Sequence, residues 1–269
     1  MLVLQNLRTD VNKLKSKTKA KILQRFFKTG RGEYGEGDLF LGLTVPQSLL
    51  IAKKYASVIK NSELEKLLSS KYHEERLIAL LILVQKLNLI SAERFQLSSP
   101  RRRGSRKISQ VKSILDSHFR GNDKNIEVNQ KKVVDFYLQH LPTVNNWDLV
   151  DLSADKILGR YLLGKSTKIL YKLVKSKNLW ERRIAIVSTF AFIKQNKFDH
   201  TLRFTEILLR DKHDLIHKAC GWMLREVGKR DVGILLKFLD KNSSQMPRTM
   251  LRYAIERLPK NKRKFYLGK

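Results

Sequence analysis

The chain has 269 residues, with 55 Lys+Arg against 25 Asp+Glu and a formal net charge of +30. That balance makes a phosphate polymer the expected partner, because every phosphate neutralised by Lys or Arg releases condensed counterions. A single cysteine, Cys220, excludes an internal disulfide and any multi-cysteine zinc site. The longest apolar run, Leu77 to Val84, is too short to span a bilayer, which takes roughly 20 residues.

The amino terminus turns polar after Leu4, before an apolar stretch of signal-peptide length can form. A cytoplasmic protein is expected, and one cysteine suits a reducing compartment. With 42% apolar residues a sizeable core is available, and both one extended domain and two small ones are allowed. Helical periodicity dominates, there are 5 prolines, and no run alternates apolar and polar residues as a half-buried strand would. The expected class is all-α.

In chain order, Gly30-Arg31-Gly32-Glu33-Tyr34-Gly35 formally matches the dinucleotide fingerprint. No strand precedes it, however, and Glu33, Glu36 and Asp38 would repel a pyrophosphate. Glu75-Arg76-Leu77-Ile78-Ala79-Leu80-Leu81 recurs as Glu181-Arg182-Arg183-Ile184-Ala185-Ile186-Val187, with a weaker echo at Ile216 to Cys220. Arg182 and Lys218 lie 36 positions apart, near the period of stacked helix pairs of the HEAT type, roughly 40 to 47 residues. The expectation is a single α-solenoid over 1–269, each helix pair burying its apolar face on the next.

The segment 98–123 departs from this rhythm with a Ser/Arg/Gly-rich, basic composition. Its wording resembles translated bacterial palindromic repeat elements that land in frame inside genes. Removing about 27 residues brings Arg76 and Arg182 to a separation of about 79, two repeat units. We therefore expect a disordered insertion here. The other reading, a DNA-gripping arm at Arg101 to Arg106, is weaker because blocks of like charge usually mark solvated segments.

Further on, Trp147 and Asp151 stand four residues apart. On a helix both project from one face, an aromatic plane beside a carboxylate, which is a receptor for a cation. His213 and His217 share that spacing, but no third ligand is suggested, and no metal is expected. Asp214 to Val227 is the clearest amphipathic helix, expected to end at Gly228. Trp222 falls at the margin of its apolar arc, between Lys218 and Arg225. Arg183 shares a face with Val187 and Phe190, among packed side chains where a guanidinium needs an anion. The carboxy-terminal stretch interleaves Arg248, Arg252, Arg257 and Lys260 with Met250, Leu251 and Ile255, a basic face on an apolar one that suits phosphate positioning.

Taken together, Phe26 to Asp38, Phe40 to Pro46, His73-Glu74-Glu75-Arg76, the Trp147 to Asp151 segment, Leu179 to Arg183 and Gly221 to Glu226 resemble the AlkD-like DNA alkylation repair proteins. The resemblance covers the chain outside the insertion. It implies a HEAT-like solenoid whose basic concave face holds duplex DNA. It also implies a monofunctional N-glycosylase that removes cationic alkylated purines such as 3-methyladenine and 7-methylguanine, with the lesion left in or near the base stack. A catalytic cluster of two tryptophans, an aspartate and an arginine would fall on Trp147, Trp222, Asp151 and Arg183, with Arg182 an alternative for the arginine. Arg182, Lys218, Arg225, Arg248 and Arg252 would contact DNA. No cofactor is implied, and the protein would act as a monomer on alkylated duplex DNA, away from membranes.

The chemistry agrees with that implication. Alkylation at N3 or N7 gives the purine a formal positive charge, and cleavage moves positive charge onto the sugar, where a fixed carboxylate stabilises it and orients water. A non-catalytic nucleic-acid-binding protein of the same architecture, and a scaffold for acidic protein partners, are the competing readings.

Overall fold

The computed structural model describes residues 2–98 and 125–268. Among these, the β structure is one isolated bridge between Leu39 and Tyr72, and the all-α class holds. No described helix is long and apolar enough to cross a membrane. The chain forms two compact units, Met1–Thr143 and Val144–Lys269.

The first unit contains α1 (Leu2–Lys13), α2 (Lys17–Phe26), α3 (Val45–Tyr55), α4 (Asn61–Leu68), α5 (His73–Ser98) and α6 (125–139). The expected insertion, 98–123, lies outside the described residues except for Ser98, the last residue of α5. Leu4, Leu7 and Val11 form the buried stripe of α1, and α1 packs on α3 while α3 and α4 pack on α5. Thr44 and Gln47 close a capping box that starts α3. The glycine segment behaves as its acids suggest: Glu33 Oε2 accepts from Gly30 N at 2.8 Å and Glu36 Oε2 from Gly32 N at 2.9 Å. Carboxylates of the chain itself thus occupy amides that a phosphate would need.

Glu74, Glu75 and Arg76 brace this unit. Glu74 accepts from the amides of Leu41, Gly42 and Leu43 at 2.8–3.2 Å, holding the loop that enters α3. Glu75 receives a bidentate fork from Arg8 at 3.0 and 2.9 Å. Arg76 donates to Asp38 at 2.5 Å and to the Ser70 carbonyl at 2.9 Å. The same Asp38 meets His73 Nδ1 at 3.1 Å.

The second unit contains α7 (Trp147–Ala154), continued by a π turn (Asp155–Gly159), then α8 (Lys168–Leu173), α9 (Leu179–Ser188), α10 (Phe190–Ile193) and α11 (Asp199–Leu208). These are followed by α12 (Asp214–Arg230), α13 (Val232–Asn242), α14 (Arg248–Ala254) and α15 (Lys260–Gly268). Helix α9 packs on α7 and on α12, and α12 packs on α14, while α8 lies on α9 and α11 and α13 lie on α12. The result is one row of helices, α7, α9, α12 and α14, backed by a second.

One expected boundary is corrected. Helix α12 does not stop at Gly228 but runs on to Arg230, and the chain turns at Asp231, whose side chain caps α13 by accepting from Ile234 N at 3.0 Å. Gly228 serves packing instead: a Cβ there would lie 2.4 Å from Leu235 Cδ2.

The sequence echo has a structural counterpart. Arg182 in α9 repeats the clasp of Arg76, donating to the carbonyl six residues back, Ser176, at 3.0 Å and to an aspartate, Asp211, at 2.6 Å. Two helices alike in sequence thus anchor their preceding loops in the same way.

Candidate active site

Asn146 adopts an extended conformation (φ −148°, ψ 155°) and its buried side chain accepts from Trp147 N at 2.8 Å, so α7 starts at Trp147. Helical geometry then sets Asp151 one turn beyond Trp147 and Asp155 one turn further, along one stripe. Trp147 is half-buried, whereas Asp148 and Asp155 are buried.

Across from α7, Asn178 caps α9 through the amides of Trp180 and Glu181 and sets the phase at which Arg183 leaves the helix. Arg183 meets Asp151 side-on: Nε donates to Oδ1 at 3.0 Å and Nη2 to Oδ2 at 2.8 Å. Its Nη1 donates to the Leu215 carbonyl at the start of α12. This fork holds the carboxylate plane, and the two side chains are only 6% and 18% exposed. Burial pushes the Asp151 carboxyl above its ordinary range; the guanidinium of Arg183 pulls it back, while the negative charges of Asp148 and Asp155 add to the rise. A carboxylate has about four lone-pair sites and Arg183 takes two, leaving acceptor capacity on the exposed edge.

The two adjacent arginines have different partners. Arg183 engages Asp151, whereas Arg182 is committed to Asp211 and to the carbonyls of Ser176 and Lys177.

Trp222 is half-buried on α12, the helix that packs on α9. Its indole meets Phe190 with ring centroids 5.8 Å apart and planes at 52°. The preceding residue is glycine because α14 comes close: a Cβ on Gly221 would stand 2.5 Å from the Met250 carbonyl oxygen and 2.5 Å from Tyr253 Cβ. Cys220 beside it is fully buried, with its thiol pushed up by burial, so it is packing and not a nucleophile.

The remaining basic residues differ in how they are engaged. Lys218 pairs with Asp214 at 2.7 Å, with side chains 39% and 53% exposed. Arg225 pairs with Glu256. Arg248 is exposed and donates to the Leu267 carbonyl at 2.9 Å, and Arg252 is exposed. His213 caps α12 by accepting from Leu215 N, and His217 meets the Asp211 carbonyl at 2.6 Å. Among the described residues no group of three or more His, Cys, Asp or Glu could hold a metal.

Sequence reasoning missed Asp155 and Lys194. Lys194 Nζ lies 2.7 Å from Asp155 Oδ2 and 4.0 Å from the Phe190 ring centroid. Only the i+4 step from Asp151 to Asp155 was available in the sequence; the partner comes from a different helix.

Fold and site together define a basic all-α protein that offers an arginine-braced carboxylate one helical turn from a tryptophan. The family model for DNA alkylation repair enzymes matches residues 7–101 and 113–258, and the chain belongs to that family. Membership gives it a role in the repair of alkylated DNA, with DNA as partner. Among solved structures it is similar in fold to one described as a predicted DNA alkylation repair enzyme from Enterococcus faecalis, at 16% identity and a TM-score of 0.63, covering 91% of this chain and 97% of that one. Among curated proteins none matches. The family match breaks between 101 and 113, inside the expected insertion.

Proposed function

We propose that the chain is a monofunctional DNA N-glycosylase, acting in base excision repair, that removes cationic alkylated purines such as 3-methyladenine and 7-methylguanine from duplex DNA. The observation that carries this reading is the Asp151 carboxylate, fixed by the Arg183 fork and one helical turn from Trp147. As the C1′–N bond breaks, its electron pair moves to the purine and cancels the positive charge there, while the sugar becomes an oxocarbenium ion. Asp151 supplies the opposing charge at that moment. Water adds to C1′ and gives up one proton, for which the free lone pairs of Asp151 are the nearest acceptor in the cluster. Trp147 and Trp222 present π faces that favour an electron-poor base and sugar over neutral nucleosides.

Phosphate contacts fall on the least committed cations. Arg252 and Arg248 are exposed, and Lys218 holds Asp214 in a surface pair of the kind that is worth little. Arg225 and Arg182 are engaged by Glu256 and Asp211 and yield less readily. Such contacts set register and affinity without reading sequence. In this reading the protein works as a monomer in the bacterial cytoplasm, on the nucleoid.

The test is incubation with methylated duplex DNA. Free methylpurine should appear, and Asp151→Asn should slow its release by about 10²–10³ while duplex affinity stays nearly unchanged. A protein that binds methylated duplex but releases no base from it is a non-catalytic member, and the proposal fails.

A further inference from the structure

One turn beyond Asp151, the π turn that continues α7 opens on another buried carboxylate. Asp155 opens the π turn with its side chain 4% exposed, and its Oδ2 receives Lys194 Nζ at 2.7 Å. The same ammonium stands 4.0 Å from the centroid of the Phe190 ring, and that ring meets the Trp222 indole at 5.8 Å. Contact therefore runs unbroken from Asp155 through Lys194 and Phe190 to Trp222.

Each link has a consequence for the site. Asp155 lacking a counter-ion would oppose a second negative charge one turn away, and its field acts on Asp151 already. The charges around Asp151 are Arg183 from α9 and Asp148, Asp155 and Lys156 from its own helix; α12 contributes the Leu215 carbonyl that receives Arg183. Among these, Asp155 is the carboxylate that Lys194 neutralises. On the aromatic side, an ammonium attracted to the ring quadrupole holds Phe190, and a held Phe190 limits the tilt of the indole packed against it.

We infer that the Asp155–Lys194 pair is the positioning element of the glycosylase site. Lys194 offsets part of the Asp155 charge, which keeps the Asp151 carboxyl from rising further and leaves Asp151 as the anion offered to the sugar, and it clamps Phe190 so that Trp222 keeps its orientation. Lys194 is a positioning residue, acting through Asp155 and Phe190. The inference rests on the glycosylase reading for its functional meaning and on geometry for its electrostatic one.

Two readouts test it on the full-length protein: the carboxyl titration of Asp151 by ¹³C NMR, assigned through Asp151→Asn, and the pH profile of methylpurine release. In Lys194→Met the Asp151 midpoint should rise by about one unit, with kcat/KM on the acid limb of its pH profile lower by up to about tenfold. Lys194→Arg, which keeps charge and ring contact, should stay close to wild type. The double variant Asp155→Asn/Lys194→Met removes both charges and should bring the midpoint back to the wild-type value or below it while kcat stays reduced, because the clamp on Phe190 is gone. It also covers the case in which Lys194→Met alone fails to fold. An unmoved Asp151 midpoint in Lys194→Met, or a double variant whose midpoint stays above wild type, overturns the inference. A wild-type protein that releases no methylpurine sinks the glycosylase reading, while the titration still decides what the pair does to Asp151.

Discussion

Breaking the Asp151–Arg183 fork from either side should reveal both what it contributes to the fold and what Asp151 does chemically. The side chains are 6% and 18% exposed, so removing one partner leaves a charge that water only partly recovers. For buried pairs that costs 3–5 kcal/mol, and the open edge of Asp151 argues for the lower end, about 3 kcal/mol. Arg183→Met also leaves the Leu215 carbonyl without its donor, so it should be the more destabilising single change. Removing both charges together avoids the orphan: Asp151→Asn/Arg183→Met should be more stable than the sum of the singles by about 2 kcal/mol or more in urea unfolding. On the chemical side, loss of a preorganised charge aimed at the transition state costs about 10²–10³ in rate. Single-turnover release of methylpurine from duplex DNA should therefore fall by that factor in Asp151→Asn, measured where the variant is fully folded. Additive singles in the unfolding cycle, or a variant that keeps more than about a tenth of the wild-type rate, would refute the reasoning.

Other outcomes follow from the same geometry. Because burial raises Asp151 above 3.8 in the folded chain, activity should fall off with acid above the ordinary carboxylate range, as pH drops through that raised midpoint. The linked stability has the opposite sense: its contribution is present below the unfolded value and lost as pH rises through the folded one, a slope that Asp151→Asn should remove. Gly221→Ala should destabilise by about 2 kcal/mol or more in thermal unfolding, since the new Cβ would meet backbone of α14 at 2.5 Å. Trp222→Ala should slow release of cationic purines by about 0.5–2 kcal/mol, roughly two- to thirtyfold, and narrow the preference for charged over neutral bases in competition assays. Arg252→Ser should lower the salt slope of duplex binding by about one, equally on all sequences. Deleting 98–123 should leave methylpurine release intact, and loss of activity would show that segment to be more than a passenger.

Much of this was legible before any coordinates. Helical class followed from a period that every long segment repeats, and the Trp147–Asp151 face followed from an i, i+4 step that any helix imposes. The likeness of Glu75-Arg76 to Glu181-Arg182 marked equivalent loop clasps, because each arginine must reach back over its own preceding turn, a local requirement. What lay beyond the sequence depends on which neighbour each side chain meets. Arg182 and Arg183 are adjacent, and their separate fates depend on whether α9 turns toward the loop at Asp211 or toward α7. Gly228 reads as a helix end in one dimension and becomes a packing site only once Leu235 folds back on it. Lys194 joins Asp155 and Phe190 through space, across 39 residues on one side and a single helical turn on the other. Periodicity reports the face on which a side chain leaves its helix; the partner waiting there is chosen by the packing of other helices, and that choice decided which charges surround Asp151.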